Sequence, residues 1–316
     1  MWACVLDRPA PIEQAPLAWR QLPTPLPGPG QILVRVRACG VCRTDLHVTE
    51  GDLPVRLPQV IPGHQIVGEV SAVGPPSQLA GRGSSGEAGA SAAAIFPGDR
   101  VGVAWLHSTD GTCRFCRRNQ ENLCPRAEFT GWTVNGGYAE YCLADAAFVY
   151  RFPDGIGDRA AAPLLCAGII GYRCLRLTGL PVSCSGARLG IYGFGAAGHV
   201  VIQLARARGA EVYVCTRDAR HQRLAAEMGA VWVGAAAAPP PVALDAAILF
   251  APAGELVPAA LQALDPGGVL VLGGIHMSPI PSLDYDWLHP ERVIRGVANN
   301  TREDGQAFLA EAARIP

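Results

Sequence analysis

Residues 189–209 read LGIYGFGAAGHVVIQLARARG, and this stretch constrains the fold more tightly than any other. A short apolar run leads into Gly193, Gly195 and Gly198 at G-x-G-x-x-G spacing. Val200, Val201, Leu204 and Ala205 then recur on one helical face, and Gly209 stands where that helix should stop. Small glycine turns are common, so the spacing alone says little. Between a strand and an amphipathic helix it gains a mechanism. The first glycine permits the tight turn, the second lets a pyrophosphate approach the backbone, and the third lets helix and strand pack closely. The helix amino terminus then faces the phosphates. This predicts a dinucleotide site.

The same alternation continues downstream. EVYVCT reads as a second strand, followed by a helix ending at EMGA; LDAAILFA, GGVLVLGGI and ERVIRGVA are further strands, with a helix around ELVPAALQAL. Strands alternating with helices imply a doubly wound parallel sheet with helices on both faces. The division is placed at residues 151–316 for this α/β domain and 1–150 for a β-rich one. In the first half, QILVRVRACG, QIVGEVSAVG, GDRVGVAW and GGYAEYCLA are short apolar runs broken by Pro and Gly. Residues 75–94, PPSQLAGRGSSGEAGASAAA, carry almost no bulky apolar side chain and read as a flexible surface insertion. A chain of 316 residues has room for both domains.

Charge narrows the partners. The net charge of −1 offers no basic field for nucleic acid or an anionic membrane. All 26 basic residues are arginine, so any cationic contact to a phosphate must come from Arg, His or backbone N–H. The start, MWACVLDRPAPIEQAP, has no apolar signal region, and no uncharged run reaches 18 apolar residues. Eleven cysteines, an odd number in an enzyme-sized chain, favour thiols and metal ligands over a disulfide framework, hence a cytoplasmic address.

Which dinucleotide binds is read at the end of the second strand. An NAD site usually offers an acid there for the ribose 2′-OH. This strand ends in Thr216 and Arg217, with Asp218 two positions late. A missing carboxylate beside a guanidinium favours a 2′-phosphate, hence NADP over NAD. The competing reading leaves Arg217 solvated and gives the ribose to Asp218.

Three further stretches carry metal-binding side chains. CGVCRTDLH presents Cys42, Thr44, Asp45 and His47 in what reads as a short loop; IPGHQIVGE presents His64, and APLLCAG presents Cys166. Singly, Cys166 could fill core and His64 could sit in a turn. TDGTCRFCRRNQENLC adds Cys113, Cys116 and Cys124 at C-x2-C-x7-C, three thiols where tetrahedral zinc takes four ligands.

With PGHQIVGEV, GDRVGV, GGYAEY and GFGAAGH, these stretches span nearly the whole chain, which resembles the zinc-dependent medium-chain alcohol dehydrogenases. The resemblance implies a GroES-like β-rich catalytic domain before a Rossmann domain. It implies hydride transfer between a small alcohol or aldehyde and NAD(P), in a homodimer or tetramer. Cys42, His64 and Cys166 match the Cys2His catalytic zinc set, with water or substrate in the fourth position. Thr44 would take the proton of the substrate oxygen, and His47 would carry it towards solvent through the cofactor ribose. Asp45 would accept from the free ring N–H of His64, and Arg43 would pair with the pyrophosphate. Trp105 would wall the substrate cleft or simply fill core.

The family also carries a structural zinc held by four cysteines, giving two zinc ions per chain. Here the first position is Asp110, so the expected set is Asp110, Cys113, Cys116 and Cys124, with His107 in reserve. Such a lobe draws roughly 10–16 kcal/mol of apparent binding energy from its metal. Two more departures bear on activity. Gln65 stands where relatives often have Glu, and the chain stops at AEAARIP where relatives continue with a segment that returns to the catalytic domain. Loss of that segment would uncover a sheet edge. The alternative to an active enzyme is therefore a weakly active or inactive zinc- and nucleotide-binding remnant.

Overall fold

A computed structural model describes residues 1–76, 94–152 and 155–315, so most of the 75–94 stretch lies outside the described residues. The chain forms two compact units, Met1–Cys166 with Asn300–Leu309, and Ala167–Asn299 with Ala310–Pro316. The first unit thus runs to Cys166, where the sequence reading divided the chain at residue 150. It also takes back Asn300–Leu309, although no returning segment was expected.

The first unit is built on antiparallel strands. β1 (Trp2–Leu6) pairs with β2 (Leu17–Gln21). The longest strand, β3 (Gln31–Gly40), leads into helix α1 (Arg43–Glu50) and then β4 (Gln65–Val73). After these come β5 (Arg100–Val103), β6 (Leu106–Ser108), β7 (Glu128–Phe129), β8 (Tyr141–Asp145), β9 (Val149–Arg151) and the short helix α2 (Asp158–Ala161). Five of the strands make one sheet in the order β8-β3-β4-β5-β9. Its inward side chains, among them Ile32, Val34, Ile66, Val70, Val101 and Val103, form a buried cluster, as side-chain alternation along half-buried strands requires. β6 and β7 pair separately beside the lobe that carries residues 110–124.

Helix α1 corrects the loop reading of CGVCRTDLH, whose Arg43–His47 part is helical. Cys42 is its N-cap: the Cys42 sulfur accepts the Thr44 N–H, and the Asp45 carboxylate accepts the Cys42 N–H in return. That is a capping box made with a thiol and an aspartate in place of the usual Ser/Thr and Glu. Gly51, in left-handed backbone at φ +89°, ends the helix. The returning segment is pinned by charge and packing. Arg302 grips the Glu121 carboxylate at 2.7–3.0 Å, and Phe308 is fully buried.

The second unit opens with α3 (Ala167–Leu177) and continues β10 (Arg188–Tyr192), α4 (Ala196–Ala207), β11 (Glu211–Cys215), α5 (Ala219–Glu227) and β12 (Trp232–Gly234). β13 (Leu244–Leu249), α6 (Val257–Gln262), β14 (Leu264–Leu272) and β15 (Val293–Gly296) follow, and the last helix, α7 (Arg302–Ala312), belongs to the first unit through Leu309. Six parallel strands lie in the order β12-β11-β10-β13-β14-β15. This is the Rossmann order, in which the connections reverse direction beside the first strand, here β10. The expected architecture, a GroES-like β-rich unit with a doubly wound parallel sheet, is the one observed. Among the described residues no single helix is long and apolar enough to cross a membrane.

Candidate metal and nucleotide sites

Within the first unit, the sulfurs of Cys42 and Cys166 and a ring nitrogen of His64 all lie within 4.8 Å of one another. Cys42 Sγ is 3.3 Å from His64 Nε2 and 4.0 Å from Cys166 Sγ. Zinc bonds of about 2.3 Å to sulfur and 2.0–2.1 Å to nitrogen give tetrahedral edges of roughly 3.5–3.8 Å, so the spacing fits one ion. A disulfide needs sulfurs about 2.05 Å apart, which this pair is not. Each donor has its own device: the cap of α1 for Cys42, the start of β4 for His64, and the end of the 3-10 turn Ala162–Leu165 for Cys166.

Asp45 ties the ligand loops together. One carboxylate oxygen accepts from His64 Nδ1 at 3.0 Å and from Gly63 N at 3.1 Å; the other accepts from Cys42 N at 2.8 Å. The bond to Nδ1 fixes the tautomer that leaves Nε2 as a donor to a metal. Burial alone would raise the Asp45 carboxyl, but the His64 charge and these hydrogen bonds hold it below its ordinary range. His64 is wholly buried, with its ring edge-on to Trp105 at 4.9 Å between centroids. Trp105 in turn stacks on Phe129 and Trp132, so an aromatic wall shields one side of the trio.

The thiols show what the trio can hold. The hydrogen bond with Cys166 pulls the Cys42 thiol down against burial, with help from His64. That same bond, with burial, pushes Cys166 far up, while a hydrogen bond from the Gln65 side chain pulls the other way. Two half-buried sulfurs this close cannot both ionise unless a cation stands between them. The donor set therefore fits a divalent metal.

A second cluster gathers Asp110, Cys113, Cys116 and Cys124 within the same 4.8 Å limit. Cys113 and Cys116 have sulfurs 3.6 Å apart. The Asp110 carboxylate accepts from Thr112 N and Cys113 N through one oxygen, each at 2.8 Å, and from Arg126 Nε at 2.9 Å through the other. Those backbone bonds, joined by Arg126, hold its carboxyl well below the usual range. His107, the reserve ligand, stays outside this group. Its ring is 5% exposed, burial pushes it down, and its Nδ1 has no hydrogen-bond partner.

In the second unit the glycine loop follows β10 directly. Gly193 has φ +88°, and a Cβ there would meet the Ala251 backbone nitrogen at 2.7 Å. A Cβ on Gly195 would meet nothing within 4 Å, whereas one on Gly198 would press on Gly193 O and Phe194 at 3.2 Å. Open space at the second glycine and tight packing at the third are what a bound pyrophosphate requires. After β11, Thr216 is buried and Arg217 is exposed. Asp218 caps α5, accepting Arg220 N at 2.7 Å and His221 N at 3.3 Å.

On α1, Thr44 is half-buried, Arg43 is exposed, and His47 Nδ1 lies 2.7 Å from Asp52 Oδ2. The sequence reading did not single out Asp52. Its signal is its place directly after Gly51, where the helix ends.

Comparison with known proteins places this constellation. Residues 28–154 match the family described as alcohol dehydrogenase GroES-like domain, and residues 196–314 match zinc-binding dehydrogenase. The Mycobacterium tuberculosis protein named Probable alcohol dehydrogenase AdhA is 52% identical over 99% of this chain and 87% of its own length. A Geobacillus stearothermophilus alcohol dehydrogenase is 35% identical over 94% of this chain and 86% of its own length. Among solved structures, a Sinorhizobium meliloti 1021 protein described as a zinc-binding dehydrogenase and bound to NADP superposes with a TM-score of 0.83. It is 27% identical, covering 100% of this chain and 89% of its own. The chain belongs to the zinc-dependent alcohol dehydrogenases of the medium-chain dehydrogenase/reductase family. It is an oxidoreductase that moves hydride between a small-molecule alcohol or aldehyde and a nicotinamide cofactor, and it uses zinc.

Proposed function

We propose that Cys42, His64 and Cys166 hold the catalytic zinc and that Asp110, Cys113, Cys116 and Cys124 hold a second, structural one, two ions per chain. Convergence of two thiols and one imidazole on one point, with Asp45 behind the imidazole, carries this reading. A zinc held by these three side chains would supply Lewis acidity, polarising the substrate oxygen and making its proton easier to lose. The remaining steps fall to side chains of this chain. Thr44 accepts the hydroxyl proton, and His47 takes it onward. Asp45 keeps His64 in the tautomer that donates through Nε2. Trp105, with Phe129 and Trp132 behind it, keeps water from the His64 side.

For the cofactor, Gly193, Gly195 and Gly198 cradle the pyrophosphate, while Thr216 and Arg217 receive a 2′-phosphate. NADP is preferred because Asp218 is committed to capping α5, leaving Arg217 as the charged group at the end of β11. Solved neighbours hold either nucleotide, NADP in the S. meliloti protein and NAD in a Geotrichum candidum acetophenone reductase, so the preference rests on Arg217. A cytoplasmic homo-oligomer, dimer or tetramer, is the proposed state. The eleven free cysteines support the reducing address. Among the described residues β15 pairs only with β14, so its outer edge is available to a second copy.

The test combines metal analysis with turnover of an alcohol and aldehyde panel in NADPH and NADH. Two zinc ions per chain with NADPH-dependent turnover are expected. Zinc and nucleotide binding without turnover would return the chain to the inactive-remnant reading.

A further inference from the structure

We propose that Asp52 is the outer end of the proton path that begins at His47, relaying protons between that buried imidazole and bulk water. The proposal rests on the role given to His47 above. His47 is only 8% exposed, so it has little direct contact with solvent. Its Nδ1 lies 2.7 Å from Asp52 Oδ2, and the Asp52 side chain is 48% exposed. One group is buried, the other is wet, and a short hydrogen bond joins them.

Local backbone fixes this pairing. Gly51 N and Leu53 N both donate to the His47 carbonyl, at 3.1 and 3.3 Å. The left-handed Gly51 turns the chain so that residue 52 comes back beside the ring. The other carboxylates near α1 are engaged elsewhere or solvated. Asp45 serves His64, Gly63 and Cys42, and Glu50 accepts the Ile12 N–H at 3.2 Å. Glu13, on the 3-10 turn packed against α1, is exposed, as is the Arg43 guanidinium at the start of the helix.

The step balances without a net change at the imidazole. As Nε2 takes up a proton, the Nδ1–H bond breaks and that proton passes to the Asp52 carboxylate, which releases it to water. His47 carries the same charge before and after, in exchanged tautomers; a half-turn of the ring about Cβ–Cγ restores the starting tautomer for the next turnover, and nothing is oxidised or reduced. During aldehyde reduction the same path runs inward. Asp52 does not touch substrate; it positions the His47 ring and accepts its proton.

The test uses the zinc-loaded protein and its Asp52→Asn, Asp52→Glu and His47→Ala variants. With Asp52→Asn, kcat for alcohol oxidation should fall roughly tenfold, less than the ~10²–10⁴ of a full acid–base group because some water still reaches His47. The alcohol KM should hold. Added imidazole at constant pH and ionic strength should restore the rate, as should Asp52→Glu. Nitrogen-15 NMR of the His47 ring should show the Nδ1–H tautomer in the native enzyme and a loss of it in Asp52→Asn. An unchanged kcat in Asp52→Asn overturns the proposal. So does a fall that no buffer relieves and that tracks a lower Tm, because that is a structural effect. Should His47→Ala turn over at the native rate, the role of His47 itself fails and Asp52 falls with it. Should His47→Ala be slow and rescued by imidazole while Asp52→Asn is indifferent, only Asp52 is wrong.

Discussion

Asp110, Cys113, Cys116 and Cys124 come from one short surface lobe, whereas Cys42 and Cys166 stand 124 positions apart and meet beside a wholly buried His64. The lobe brings four donors and leaves no ligand position for a substrate. The distant trio brings three, so a metal there keeps one position for chemistry. Local spacing is enough to build a closed site, since a few 3-10 turns fold the donors onto each other. An open site needs ligands delivered from separate elements that stay rigid when the fourth position changes hands. Here the cap of α1, the first residues of β4 and the 3-10 turn before α3 supply that rigidity.

The largest expected effect breaks the trio. Replacing Cys42 or Cys166 with Ala should remove one zinc per chain and cut kcat/KM by ~10³-fold or more, since Lewis-acid stabilisation is worth several kcal/mol. The lobe metal should stay in place. Metal analysis beside kinetics checks this, and a variant that retains two zinc ions would show that these sulfurs are not ligands. Asp45→Asn comes next. It keeps the shape but weakens the bond that orients His64, so affinity for the trio metal should drop about 10–100-fold. A competition titration with a chromophoric chelator reads that loss; unaltered affinity would reduce Asp45 to a helix cap.

The lobe should answer in the opposite sense. Asp110→Ala should release one zinc and lower Tm while kcat per remaining trio zinc changes little. Asp110→Cys should keep both ions. If Asp110→Ala still carries two, the fourth ligand is another group. His107 is a weak candidate, because it lies outside the cluster.

These contrasts also explain what was legible in the sequence. Periodicity carried most of the Rossmann half, because the central strands β10, β11 and β13 are buried nearly throughout and write continuous apolar runs, and Gly193, Gly195 and Gly198 mark the strand-to-helix turn; the short, half-buried edge strand β12 wrote no such run and was not read. The lobe was legible because its donors are neighbours in the chain. The trio needed the resemblance, since nothing local connects residue 42 to residue 166. Helix α1 went unread because its cap uses Cys42 and Asp45 in place of the usual Ser and Glu. The pairing of Arg302 with Glu121, 181 positions away, has no local signature at all. Asp52 was missed for a related reason, as an exposed acid after a glycine looks like any turn residue until His47 is seen beside it.

Cofactor choice gives a smaller effect, confined to the second unit. Arg217→Ala removes one charged donor, worth about 1.5–3 kcal/mol when it meets a phosphate. NADPH should therefore bind ten- to a hundredfold more weakly while NADH is nearly unaffected. Equal loss for both nucleotides would end the NADP assignment and return the ribose to Asp218.

The smallest effect separates the two metal clusters by a single neighbouring group. Gln65 hydrogen-bonds the Cys166 sulfur and pulls that thiol down, which helps keep it in the thiolate form that a metal needs. Zinc leaves such a site as its ligands take up protons, so retention is complete at high pH and is lost as pH falls. In Gln65→Glu an ionised carboxylate cannot donate to the sulfur, and it adds negative charge beside two thiolates. Both changes favour protonated Cys166, so zinc should begin to leave at a higher pH, with the release midpoint moved up by roughly half to one unit, about 0.7–1.4 kcal/mol. The lobe midpoint should not move, because residue 65 lies outside its donor set. Chelator-monitored release across a pH series distinguishes the two ions by their rates. A trio midpoint that stays fixed, or moves downward, would mean that the glutamate serves as a ligand or that the hydrogen bond from Gln65 contributes nothing to holding Cys166 ionised.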